Sequence, residues 1–195
     1  MNTLKAEKRS MDIKAKKLRR EGFVTGNIFG KEMTASIPVK MQKKDVDRLL
    51  KVTGKGGQII LDVDGDKMNV LIKDVEFNPI KNQIDEMDFQ ALVQGEKVHS
   101  VSEILLLNHE SIAGGIVEQM LHEISYRALP SDLVEKITID LGDYHIGDSV
   151  KVGDLEIAKN DAVDLLTDPE SIIFSIAEPH TAAEAEGEET EGEEA

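Results

Sequence analysis

The sequence predicts a mainly β chain with a few short helices, arranged as two domains and a tail. Three observations predict it: apolar positions that alternate with period two in short runs, an Asp-Gly reversal between two such runs, and a change in the sign of the charge along the chain. With 195 residues, 40% of them hydrophobic, the chain is long enough to bury a real core.

Taken in order, Phe23-Val24, Ile28-Phe29, Ile37 and Val39 fall in short runs separated by Gly and Pro, which reads as strands of a small barrel or sheet. Gln42 to Val52 places Val46, Leu49 and Leu50 at three- and four-residue spacing among charged residues, so one short amphipathic helix is expected there. The Gly54-Lys55-Gly56-Gly57 cluster ends it. Gln58 to Val75 reads as a hairpin. Ile59, Ile60, Leu61 and Val63 precede Asp64-Gly65, and Met68, Val70, Ile72 and Val75 follow; Asp-Gly supplies the positive φ angles of a tight turn. Beyond Glu96 the chain is again strand-rich, with Val98, Val101, Ile104 and Leu106, then Ile137 to Ile139 and Ile172 to Ile176. Gly114 to Leu121 suits either a helix or a buried strand. At Leu129-Pro130-Ser131-Asp132, the proline disfavours helix at Leu129 and Ser or Asp can cap a new turn, so a short helical turn is expected.

The formal charge of −15 is unevenly spread. Residues 1–95 hold 18 Lys and Arg against 14 Asp and Glu, a net of +4, and residues 1–20 alone hold 8 against 2. Residues 96–180 hold 5 against 17, and residues 181–195 add seven glutamates. These signs give domains over 1–95 and 96–180 and a tail over 181–195 that should be disordered, since its Glu, Ala, Gly and Thr offer no large apolar side chain to offset ordering entropy. The tail reads either as a solubilising segment or as a competitor with RNA for the basic N-terminal face.

Several kinds of chemistry are excluded. Without cysteine there are no disulfides, thiol catalysis or thiolate metal sites. The five histidines lie at least ten residues apart, outside any zinc-binding spacing. No nucleophile elbow or phosphate-binding glycine loop occurs. Asp62-Val63-Asp64-Gly65-Asp66 resembles the opening of a calcium loop, but its glycine comes early and Lys73 stands where the closing glutamate belongs. Asp85, Glu86 and Asp88 do not pair as acid and base, because neighbours along a strand point to opposite faces. No cofactor, small-molecule substrate or enzymatic activity is expected. The longest aliphatic run, Ile104 to Leu107, is far short of the roughly 20 residues that span a membrane. Residues 1–20 lack the apolar core of a secretory signal, so the chain reads as soluble and cytoplasmic. The positive feature is the basic run Lys5, Lys8, Arg9, Lys14, Lys16, Lys17, Arg19, Arg20, which reads either as an RNA-binding surface or as a solvated basic face.

Leu18-Arg19-Arg20-Glu21-Gly22 leading to Ile28-Phe29-Gly30-Lys31 resembles the N-terminal motif of the bacterial ribosomal protein L-twenty-five family, whose long form is the general stress protein CTC type. Lys73 to Pro79 followed by Met87-Asp88-Phe89 resembles the end of that family's first domain. Gly114 to Gln119, Ala128 to Leu133, Ile146 to Ser149 and Leu165 to Pro169 are similar, in order, to signatures of the CTC-type second domain. The resemblance implies an N-terminal closed β-barrel domain that binds 5S rRNA at its internal loop E in the central protuberance of the large subunit, and a β-rich C-terminal domain. It further implies a cytoplasmic, ribosome-associated protein whose partners are 5S rRNA and neighbouring large-subunit ribosomal proteins. Carried over by position, Arg9, Lys16, Lys17 and Arg19 match RNA-contacting basic residues, and Asp88 matches the aspartate of the family's His-x-Asp-Phe motif. Three positions depart from the family's pattern: Phe29 where tyrosine is common, Glu76 where glutamine is common and Glu86 where histidine is common. Glu76 and Glu86 would bring negative charge toward phosphates. They motivate a second reading, a divergent stress-linked member with weakened or lost 5S rRNA binding that acts as a protein-interaction module.

Overall fold

A strand whose alternate side chains are apolar must bury one face, and a six-stranded sheet does this most completely by closing on itself, which also removes its edges. The computed structural model, which describes residues 2–112 and 114–178, shows such a closed barrel in the first half. Its strands are β1 (Thr3–Lys8), β2 (Phe23–Phe29), β3 (Ile37–Gln42), β4 (Gln58–Val63), β5 (Asp66–Asn78) and β6 (Gln83–Ala91), in the order β1-β3-β2-β6-β5-β4. The β1/β4 and β2/β6 pairs are parallel and the others antiparallel. Val24, Ile28, Leu61, Ile72, Met87 and Phe89 are among the side chains that fill the interior.

The expected helix forms as α2 (Lys43–Leu50), and Val46 and Leu49 join the barrel core. A second short helix, α1 (Ala15–Arg20), precedes β2. The Asp-Gly hairpin forms as predicted: Asp64 has φ 53° and Gly65 φ 100°, and Asp62 Oδ1 accepts the Gly65 N–H at 3.0 Å. The calcium-like run is therefore a turn that caps itself.

Two sheets make up the second half. β7 (Val98–Leu107), β9 (Glu123–Ala128), β10 (Lys136–Asp140) and β12 (Asp164–Leu165) run in the order β10-β7-β9-β12. β8 (Ile116–Gln119), β11 (Ser149–Lys151) and β13 (Ile172–Ala177) run in the order β11-β13-β8. Ile104, Ile124 and Ile139 from the first sheet share a core with Val150, Phe174 and Ile176 from the second. The ambiguous stretch before Leu121 is thus settled as the strand β8, because its alternation lets it pair with β13. The helical turn expected near Pro130 is a 3-10 turn over Pro130–Asp132, with Pro130 at its first position and no side-chain cap. Tyr126 is fully buried; its hydroxyl donates to the Val134 carbonyl at 2.9 Å and accepts from the Val134 N–H at 2.8 Å, which satisfies a buried polar group twice.

The halves meet where the loop after α2 lies on β7. Gly56 has φ +81°, and a Cβ there would stand 1.8 Å from the Val101 carbonyl oxygen, so only glycine permits the approach. Ser100 Oγ donates to the Gly56 carbonyl at 3.2 Å, and Lys73 Nζ donates to the His99 carbonyl at 2.9 Å. Lys55 lies 3.6 Å from both Asp74 on the barrel and Glu123 on β9. Along β7 burial alternates: Val98, Ser100, Ser102, Ile104 and Leu106 are buried, and Ile104 and Leu106 enter the second core. The tail expected to be disordered, residues 181–195, lies outside the described residues.

Candidate nucleic-acid interface

α1 is a six-residue helix with a single buried anchor, Leu18, which packs toward β2. Its N-terminus has no side-chain cap, and Lys17, Arg19 and Arg20 occupy its last turn, where the helix dipole favours cations. Gly22, at φ +89°, reverses the chain into β2.

The geometry of the site follows from how the barrel closes. At the parallel β2/β6 pair, Thr25 aligns with Glu86 and Ile28 with Phe89. Gly26 lies so close to β6 that a Cβ would stand 1.9 Å from the Met87 carbonyl oxygen. Between those registers the Asp88 carboxylate takes over from backbone pairing: its Oδ1 accepts the Asn27 N–H at 2.8 Å and the Asn27 side-chain amide at 3.3 Å. On the other side, β5 and β6 pair Asp74 with Asp88 and Glu76 with Glu86, with a register shift that leaves Asp85 without a cross-strand partner. The Asn78 and Gln83 amides donate to Asp85 at 3.0 and 2.7 Å and hold its carboxyl below the usual aspartate range.

Into this seam reaches Arg19. Its Nε donates to the Asp85 carbonyl at 2.9 Å, and its Nη2 donates to Glu86 Oε2 at 3.1 Å and to Thr25 Oγ1 at 3.4 Å. Lys16, Arg19 and Arg20 from α1 and Lys81, Gln83 and Asp85 from the β5–β6 hairpin together line an open groove of about 600 Å³. Lys16 and Arg20 are exposed, and neither they nor Lys81 form an ion pair among the described residues. Lys17 is exposed too, with only a loose 3.9 Å contact to Glu21.

Arg9 follows β1. Its N–H donates to the Pro38 carbonyl at 2.9 Å, its Nη2 lies 3.7 Å from the Met11 sulfur, and its Nε is shielded from solvent without a partner. Glu86 is pushed above the usual glutamate range, first by burial and then by the charge of Asp88, with Arg19 and Arg9 opposing. The raised carboxyl and the 3.1 Å contact with Arg19 point opposite ways; desolvation outweighs the pair's attraction.

Of the residues singled out from sequence, Lys16 and Arg19 share the groove, Lys17 is on the same helix, and Arg9, just after β1, bears on the charge of Glu86. Asp88 is a half-buried buttress of the barrel seam. The basic run does not form one patch, because Lys5 lines a separate hollow with Asn2, Asp45 and Arg48. Lys81 was missed. It stands alone in sequence at a hairpin tip, and only the fold sets it opposite α1. Phe29 is 38% exposed, so its ring is available on the surface. No group of three or more His, Asp or Glu side chains among the described residues could hold a metal. No helix among them is long and apolar enough to cross a membrane.

Two family models match the chain. Residues 4–89 match the Ribosomal L25p family, and residues 97–180 match the C-terminal domain of Ribosomal protein TL5. Together they define a ribosomal protein of two parts. Relatives described as large ribosomal subunit protein bL25 run the length of the chain. The one from Bacillus velezensis is 33% identical over 204 residues, covering 99% of both chains. That from Caldanaerobacter subterraneus subsp. tengcongensis is 33% identical, covering 97% of this chain and 96% of its own. A third, from Halothermothrix orenii, is 33% identical, covering 98% and 95%. The chain belongs to the bL25 family, in its long form, as the motifs in its sequence implied. That family is one of ribosomal proteins, and the chain is not an enzyme.

Proposed function

We propose that the chain is a structural constituent of the large ribosomal subunit, cytoplasmic and ribosome-associated, that binds the loop E region of 5S rRNA in the central protuberance. The observation that carries this reading is the groove in which Lys16, Arg19 and Arg20 face Lys81 across a carboxylate already occupied by amides. Cations on two opposed elements suit two phosphate strands flanking a helical groove, and they recognise a non-Watson–Crick helix by its shape. In this reading residues 1–95 form the RNA-binding unit. Residues 96–180, acidic by composition, are repelled by phosphate and turn toward neighbouring basic large-subunit proteins.

Binding of the full chain to a loop E fragment of 5S rRNA, measured over a salt series beside an Arg9, Lys16, Lys17, Arg19 alanine variant, tests the proposal. Each phosphate contact contributes roughly 0.7 to 0.9 to the log–log salt slope. The variant should bind more weakly with a slope flatter by about two to four. Binding no tighter than to a Watson–Crick duplex of equal length would refute it.

A second reading, a divergent stress-linked member that no longer binds loop E and acts as a protein-interaction module, is favoured by Arg19 being engaged by Glu86, with Glu76 beside it in register. Equal, weak binding of wild type and variant to both RNAs would select it.

A further inference from the structure

We propose that Glu86 is a positioning residue for RNA: its carboxylate holds the Arg19 guanidinium with its free edge toward the groove. This inference rests on the reading of that groove as an RNA site.

An arginine has five N–H donors in a rigid planar fork, so fixing two of its nitrogens orients the third. In Arg19, Nε is fixed by the Asp85 carbonyl and Nη2 by Glu86 and Thr25, while Nη1 has no partner among the described residues. The pair is half-buried, with side-chain exposures of 25% for Arg19 and 32% for Glu86, so the contact is not a loose surface pair. Glu86 is itself held: its Oε1 lies 3.5 Å from the Asn27 amide that also contacts Asp88. Two arginines act on the one carboxylate, Arg19 by contact and Arg9 through space.

Stability does not account for this carboxylate. Burial and the neighbouring Asp88 and Glu76 charges outweigh the two arginines, so the folded chain would hold a neutral group here more readily. A charge kept against that balance fits a role in orientation, as buried ionic groups can serve specificity over stability. A freely rotating Arg19 would lose side-chain entropy on binding phosphate; one already clamped does not.

The contrary account is simple repulsion, a glutamate facing phosphate, and the two differ in sign. In the full chain, with a loop E fragment of 5S rRNA as probe, Glu86→Ala should weaken binding about tenfold. Glu86→Gln, which keeps an oxygen for Arg19, should fall between wild type and Glu86→Ala. Arg19→Ala combined with Glu86→Ala should bind no worse than Arg19→Ala alone, whereas Lys16→Ala combined with Glu86→Ala should show both losses in full. The melting temperature of Glu86→Gln should equal or exceed that of wild type, and the far-ultraviolet circular dichroism of Glu86→Ala should match it, which separates lost positioning from lost fold. Tighter binding by Glu86→Ala and Glu86→Gln, additive with Arg19→Ala, would overturn this inference alone. Wild-type binding no stronger than to a Watson–Crick duplex, and unmoved by Lys16→Ala, would overturn the RNA reading and this inference with it.

Discussion

At the residue scale, Glu86, Asp88, Gly26 and Thr25 show how one seam does two jobs. Closing the barrel there requires glycine at position 26, a carboxylate at 88 to replace a missing backbone partner, and a buried threonine at 25, whose hydroxyl donates to the Asp85 carbonyl at 3.4 Å. Thr25 and Glu86 of this seam also accept from the Arg19 guanidinium. The sign of the Glu86 contribution to stability follows from its raised carboxyl. Because the folded state binds its proton more tightly than the unfolded state does, ionised Glu86 is a burden at neutral pH. That burden is lifted as pH falls through the folded value toward the ordinary glutamate range. Glu86→Gln should therefore be more stable than wild type at pH 7, and its advantage should shrink between neutral pH and about pH 4.5, the ordinary glutamate value. Urea denaturation of both proteins across that range measures the difference, and an advantage independent of pH would contradict it.

At the element scale, α1 is the weakest part of the site. Six residues are too few for a helix to be stable by itself, so tertiary packing must hold it. Leu18, 3% exposed, provides its one buried side chain, and Arg19 provides the hydrogen bonds to β2 and β6. Leu18→Ala should cost about 2 to 4 kcal/mol of α1 docking. Amide exchange across Ala15–Arg20 should then accelerate far more than exchange in β4 and β5, and RNA binding should weaken in parallel. Uniform acceleration through the barrel would show instead that α1 is integral to the core. The β4–β5 hairpin differs, being specified locally: Asp64-Gly65 takes positive φ at both turn positions, the twist a two-residue reversal requires.

At the scale of the whole molecule, the joint between the barrel and β7 decides whether the acidic half has a fixed direction relative to the groove. Gly56 is the close approach, Ser100 and Lys73 bridge it, and Leu71 is fully buried though it belongs to neither of the main cores. Gly56→Ala must part the surfaces, because a Cβ at 1.8 Å from the Val101 oxygen cannot be accommodated and φ +81° is strained for alanine. Limited proteolysis of the connector over 92–97 should become faster while far-ultraviolet circular dichroism stays unchanged. An unchanged cleavage rate would mean that the joint is held elsewhere.

What the sequence determined by itself is what depends on near neighbours. Alternation in β4 and β5, the Asp-Gly turn, the i, i+3, i+4 face of α2 and the proline-led turn at Pro130 all arise within a few residues, and so does the inequality of charge between the two halves. The motifs that carried the family resemblance were likewise legible as local runs. Only the tertiary structure decided the rest. β8 could not be told from a helix until β13 supplied its partner, since four residues carry too little periodicity. Lys81 joined Lys16 and Arg20, and Lys5 left them, because the fold brings residues 65 apart in sequence to one groove and sets Lys5, on β1, beside α2 instead. Asp88, matched from the sequence to the family's motif as an RNA-binding residue, also buttresses the seam, and Glu86, read as negative charge brought toward phosphates, is the partner of Arg19, for the same reason. The surroundings of a charge are set by strands paired across the barrel, and these are remote from it along the chain.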